Sequence, residues 1–157
     1  MSTNVASPKS TGGGGFIFED KVCAWFLSHM LADESPFDSG TGILTRIDFQ
    51  TRPDGWLLDD ILLTLQTGDT QRRCSLSIKS NNQFIGNKAP SDFLRSVWEQ
   101  YLDETALFNK ISDFMGLVTV ELISNVRGAL DFVVMTAKEG DTQLLPQRYA
   151  QKGWANK

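Results

Sequence analysis

The chain has 157 residues and a formal net charge of −4, with 41% hydrophobic and 22% charged residues. That length suits one domain that buries its core without disulfide or metal staples, and the composition is that of a globular protein rather than a disordered one. The acidic balance argues against a broadly basic, nonspecific nucleic-acid binder, though not against a carboxylate site that recruits metal. The apolar runs are short and broken by charge, so none spans a membrane, and the N-terminus lacks the pattern of a secretory signal. Cys23 and Cys74 are the only cysteines and both lie inside apolar patterns. They read as buried reduced thiols of a cytoplasmic protein rather than a disulfide or metal pair.

Residues 1–15 are rich in Ser, Thr and Gly, end in Gly12 to Gly15, and read as a flexible leader to a single domain over 16–157. No strand precedes the glycines and no Gly-Lys-Ser/Thr follows, which excludes a phosphate loop. Periodicity then predicts a helix over Phe16 to Leu31, with Val22, Cys23, Trp25, Phe26, Leu27, Met30 and Leu31 on one broad apolar arc. Glu19 falls in the middle of that arc, where an acid is costly without a partner or a metal. His29 sits at the edge of the arc and reads as a hydrogen-bonded packing residue.

The segment Asp33 to Gly42 reads as a loop. Ile43 to Gln50 alternates as a strand, with Ile43, Thr45, Ile47 and Phe49 on one face and Leu44, Arg46, Asp48 and Gln50 on the other. A Pro53-Asp54-Gly55 turn leads to a second strand, Trp56 to Gln66, and a turn over Thr67 to Gln71 leads to a third, Arg73 to Ser80. The third strand sets Cys74, Leu76 and Ile78 inward and Arg73, Ser75, Ser77 and Lys79 on its other face. After a polar stretch over Asn81 to Pro90, a helix with Ser91 as N-cap runs to about Ala106, its Phe93, Leu94, Val97, Trp98, Tyr101 and Leu102 reading as core. Gly116 to Leu122 reads as a fourth strand and Ala129 to Lys138 as a last helix.

Chemistry is suggested where acids interrupt apolar runs. Asp59 and Asp60 lie inside Trp56 to Leu63, against both strand propensity and burial. Successive strand residues point to opposite faces, so one of the two faces a site while the other serves a neighbouring loop or helix. Ser77 and Lys79 share a face on the adjacent strand. Phosphodiester hydrolysis needs a hard divalent cation held by one or two carboxylates, and a lysine to orient water and oppose developing charge. Glu19, Asp60 and Lys79 supply those groups. Arg46, Arg52, Lys88 and Arg95 are candidate phosphate contacts, with scattered solvated charge as the default.

The αβββαβ order, an acid in the first helix, Asp60 in the second strand and Ser77-Ile78-Lys79 in the third resemble the restriction-endonuclease-like, PD-(D/E)XK core, a mixed α/β sheet flanked by helices. Lys79 lies 19 residues beyond Asp60, which suits that core. More narrowly, GGGGFIFEDKVCAWFLSHML, RIDFQTRPDGWLLDD, LSIKS and FLRSVWEQYLDETALFNK resemble nuclease-like modules at the N-terminus of bacterial STAND-type ATPases and related anti-phage proteins. The resemblance implies a Mg²⁺ (or Mn²⁺) endonuclease acting on DNA. Asp60 would be the principal metal ligand, Glu19 a second and Asp59 an auxiliary acid, with Ser77 as a weak ligand and Lys79 as the water-orienting group. It also implies partner ATPase or sensor domains in a larger chain and clustering into a homo-oligomer on activation. The closing Tyr149 to Lys157 shows no helix cap, as a chain continuing further would. Ser77 departs from the family, which carries Glu, Asp or Gln two residues before the lysine. A hydroxyl is the poorer metal ligand, so a catalytically inert fold used for binding or assembly is the alternative.

Overall fold

Three consecutive strands in the first half of the chain and one from the second half build a four-stranded mixed sheet in the order β1-β2-β3-β4. β1 (Ile43–Phe49), β2 (Ile61–Thr67) and β3 (Thr70–Lys79) are antiparallel neighbours, while β4 (Phe114–Thr119) lies parallel to β3. A parallel pair needs a crossover, and α2 (Ser91–Leu102) lies in that connection; α1 (Gly13–Leu31) precedes the sheet. The protein is therefore α/β, with the expected α-β-β-β-α-β order. The computed structural model describes residues 13–38, 40–80, 90–103 and 107–120, with Arg127, Gly128, Asp131 and Met135. Most of the predicted leader, the polar stretch with Lys88, and nearly all of the predicted Ala129 to Lys138 helix lie outside the described residues.

The main core forms on one face of the sheet, where Ile61, Leu63 and Leu65 of β2 meet Cys74, Leu76 and Ile78 of β3 under Phe26 of α1. Each such side chain contributes roughly 1.5–3 kcal/mol on burial. The helix starts at Gly13, three residues before the boundary expected from sequence, and its buried stripe is narrower than the predicted arc. Phe18, Val22, Phe26 and Met30, spaced by four, face the sheet with Cys23, while Trp25, Leu27 and Leu31 are exposed. His29 takes the expected packing role, with Nδ1 at 2.9 Å from the Trp25 carbonyl and its ring against the indole.

A bulge corrects the predicted faces of β1. Leu44 pairs with Leu65 and Arg46 with Thr64, so Thr45 is the extra residue. Its hydroxyl donates to the Thr64 carbonyl at 3.1 Å. The bulge carries Leu44 into the core beside Ile47 and leaves Ile43 exposed, the reverse of simple alternation.

The second strand is shorter than expected. Trp56 to Asp60 is not strand, although Trp56 and Leu58 are buried. Side chains hold this segment instead: Gln100 of α2 accepts from the Leu57 N–H, and the Ser75 hydroxyl donates to the Leu58 carbonyl. Trp56 packs with Leu62 and Phe108 in a smaller cluster on the face away from α1. Gln100 is therefore the buried residue of α2, whereas Leu94, Trp98, Tyr101 and Leu102, expected as core, are exposed. Pro90 rather than Ser91 occupies the N-cap of that helix. Neither Cys23 nor Cys74 forms a disulfide. Among the described residues, no helix is long and apolar enough to cross a membrane.

Candidate active site

Asp60 is the last residue before β2, and its carboxylate lies where the β2–β3 ladder stops. Oδ2 accepts the Ile78 main-chain N–H at 2.6 Å and the Ser77 hydroxyl at 3.1 Å, with Lys79 Nζ at 3.7 Å. A continuing β2 would meet the Ile78 N–H with a carbonyl; here a side-chain carboxylate does so, which ends the strand and leaves Oδ1 for another partner. Asp60, Ser77 and Lys79 are thus brought together, and Lys79 stays partly exposed.

Asp59 is not part of this group. Its carboxylate pairs with Arg52 at 3.2 Å and its carbonyl accepts the Thr51 N–H, so it ties β2 to the 3-10 turn over Arg52–Asp54. With Arg52 as its partner, Asp59 is not brought to the group in which it was expected as an auxiliary acid. Of the expected phosphate contacts, Arg46 is engaged by Asp48, and Arg52 by Asp59.

α1, packed on the Ile61 and Ile78 face of the sheet, brings Glu19 to a cavity that Asp60 also borders. Glu19, Asp20 and Cys23 on the helix, Phe49 and Gln50 at the end of β1, and Asp60 border an open cavity of about 390 Å³. Burial raises the Glu19 carboxyl above its ordinary value of 4.5; the Asp60 carboxylate adds to the rise and Lys79 opposes it. Burial, with Asp20 and Glu19 beside it, likewise pushes up the Cys23 thiol, which keeps it protonated. Phe49 and Gln50 carry no local sequence signal for this position. Cys23 does, since it follows Glu19 by one helical turn.

The donor set decides which cation suits the cavity. It offers carboxylate oxygens and a protonated thiol, a match for hard Mg²⁺ or Mn²⁺ rather than thiolate-bound zinc. Among the described residues, no group of three or more His, Cys, Asp or Glu side chains is gathered to hold a metal ion. Mg²⁺ asks for only one or two carboxylates, with water and substrate phosphate completing its shell, so Glu19 and Asp60 fit that need. Comparisons of the chain with family models, with curated proteins and with solved structures give no match.

Proposed function

We propose that this domain is a Mg²⁺- or Mn²⁺-dependent DNA endonuclease with a restriction-endonuclease-like core, the effector module of a larger bacterial anti-phage protein. The observation that carries the reading is the meeting of Asp60, Ser77 and Lys79 where β2 begins and β3 ends, with Glu19 and Asp60 bordering one cavity. Asp60 and Glu19 would hold the cation, which activates water and neutralises charge on the scissile phosphate. Ile78 and Ser77 fix Asp60 through Oδ2, so that Oδ1 is presented in a set direction. Ser77 thereby acts as a positioning residue, a role that a hydroxyl fills without being a strong ligand. The Lys79 ammonium orients the attacking water and opposes the negative charge that builds on the phosphate.

A second reading rests on the same Oδ2 bonds. An aspartate that takes a main-chain N–H, a hydroxyl and an ion pair is also a strand-end cap, which an inert binding or assembly module would keep. Plasmid nicking separates the two. With millimolar Mg²⁺ or Mn²⁺, in the free form and fused to an oligomerising partner, the wild type nicks supercoiled DNA. Lys79→Ala lowers the rate on the order of 10²-fold. Absence of metal-dependent nicking in both formats, or full activity in Lys79→Ala, removes the nuclease reading.

A further inference from the structure

Phe49 is the last residue of β1, pairs with Ile61, and faces the α1 side of the sheet. Ile61 is buried at 1% exposure, whereas Phe49 is 50% exposed. Beside it, Gln50 holds φ at 51°, a left-handed conformation that a side chain such as glutamine rarely adopts. Both residues border the cavity of Glu19 and Asp60. Strain kept next to a cavity is a reason to ask what the residue does there.

The charge of the cavity narrows the answer. Among the described residues its lining carries the carboxylates of Glu19, Asp20 and Asp60, and the cation beside it, Lys79, is already paired with Asp60. Phosphate contacts, a main source of affinity for duplex and single strand alike, are therefore few, and the chain as a whole is at −4. An exposed aromatic ring supplies affinity in another way, by stacking on a base, and every base offers a face. Inside a duplex those faces are already occupied by neighbouring bases, so the ring selects an unpaired nucleotide. Glutamine carries both a donor and an acceptor for the edge of that base.

We propose that Phe49 and Gln50 form a platform for one unpaired nucleotide, Phe49 stacking on the base and Gln50 bonding its edge, so that the substrate is single-stranded or locally unpaired DNA. This rests on the nuclease reading and names its substrate class. The test is fluorescence anisotropy with a short labelled oligothymidine and a blunt duplex of the same length, in Ca²⁺, which takes the same oxygen donors. The single strand binds more tightly to the wild type. Phe49→Ala weakens it about tenfold and leaves duplex binding unchanged, while Phe49→Trp retains the affinity. Gln50→Gly, which relieves the backbone, melts no lower than wild type yet binds the single strand several-fold less tightly. Equal or tighter binding of the duplex, or an equal loss on both polymers in Phe49→Ala, overturns the platform. Plasmid nicking scored in parallel separates the two claims. Lys79-dependent nicking with duplex preference removes the platform alone, whereas absence of both binding and nicking removes the platform and the nuclease together.

Discussion

At the scale of single residues, Asp60 and Glu19 are two acids in unlike settings. Asp60 has three partners for one oxygen, whereas Glu19 is pushed toward its neutral form, first by burial and then by the Asp60 charge. The sign of the resulting pH dependence follows from linkage. The folded state binds a proton at Glu19 more readily than the unfolded chain, so this group lowers stability as pH rises from 4.5 through its raised folded value. Glu19→Gln removes that penalty. Without metal, the variant melts higher than wild type at pH 7, and the difference vanishes below pH 4.5, where both states of Glu19 are protonated. If the proposed nuclease site holds Mg²⁺, the ion reverses the order at pH 7 by stabilising the ionised wild-type carboxyl. Thermal melts across pH, with and without Mg²⁺, read this directly; a Glu19→Gln variant that melts lower at pH 7 in chelator would refute it.

At the scale of elements, the strands owe their ends to side chains far away in sequence. β2 stops at Ile61 because Asp60 caps it, and the segment before it is held by Gln100 and Ser75. The entry to β4 is held in the same way by Asp113, whose buried side chain accepts from the Arg73 main-chain N–H, the Arg73 guanidinium and the Asn109 N–H. Arg73 also reaches the Leu107 carbonyl and stacks over Trp56. Removing Asp113, the buried member of this pair, leaves the Arg73 and Asn109 main-chain donors and the half-buried Arg73 guanidinium without their partner. Asp113→Ala is therefore expected to cost on the order of 3–5 kcal/mol, seen as a lower urea midpoint with an unchanged slope. A loss below about 1 kcal/mol, the scale of an exposed pair, would mean that the bond network is not what joins β3 to β4.

At the scale of the whole molecule, the cavity exists only when α1, the end of β1 and the β2–β3 hairpin are assembled. A cation held there binds the folded state and not the unfolded chain, and raises the melting temperature by mass action. Ser77→Glu sharpens this test. In chelator the new acid stands beside Asp60 at a position only 7% exposed, and the melting temperature falls. In millimolar Mg²⁺ the variant regains more than the wild type does, since an added anionic oxygen favours a hard cation. Saturation at a hundred times the Kd corresponds to about 2.7 kcal/mol, which is several degrees for a domain of this size. If neither protein responds to Mg²⁺ or Mn²⁺, the inert module replaces the enzyme.

Much of this molecule is local and was legible in the sequence. The αβββαβ order, the inward Cys74, Leu76 and Ile78, and the shared position of Asp60, Ser77 and Lys79 follow from period-2 alternation and short turns, which relate near neighbours. That Glu19 turns toward the sheet followed from its place on the apolar stripe of α1. The bulge at Thr45 did not, because one inserted residue leaves the composition of β1 unchanged and is decided by how Leu44 and Ile47 both reach the core. The preference for Asp60 over Asp59 was read from the sequence, but the partners that separate them, Arg52 on one side and the Ile78 N–H on the other, were not. Gln100 and Asp113 carry no local sequence signal for their roles; the fold sets the Leu57 and Arg73 N–H groups against them. Periodicity tells which face of an element is apolar, but the partner of a buried polar group is fixed only when elements distant in sequence close on one another, and that is decided by the tertiary structure.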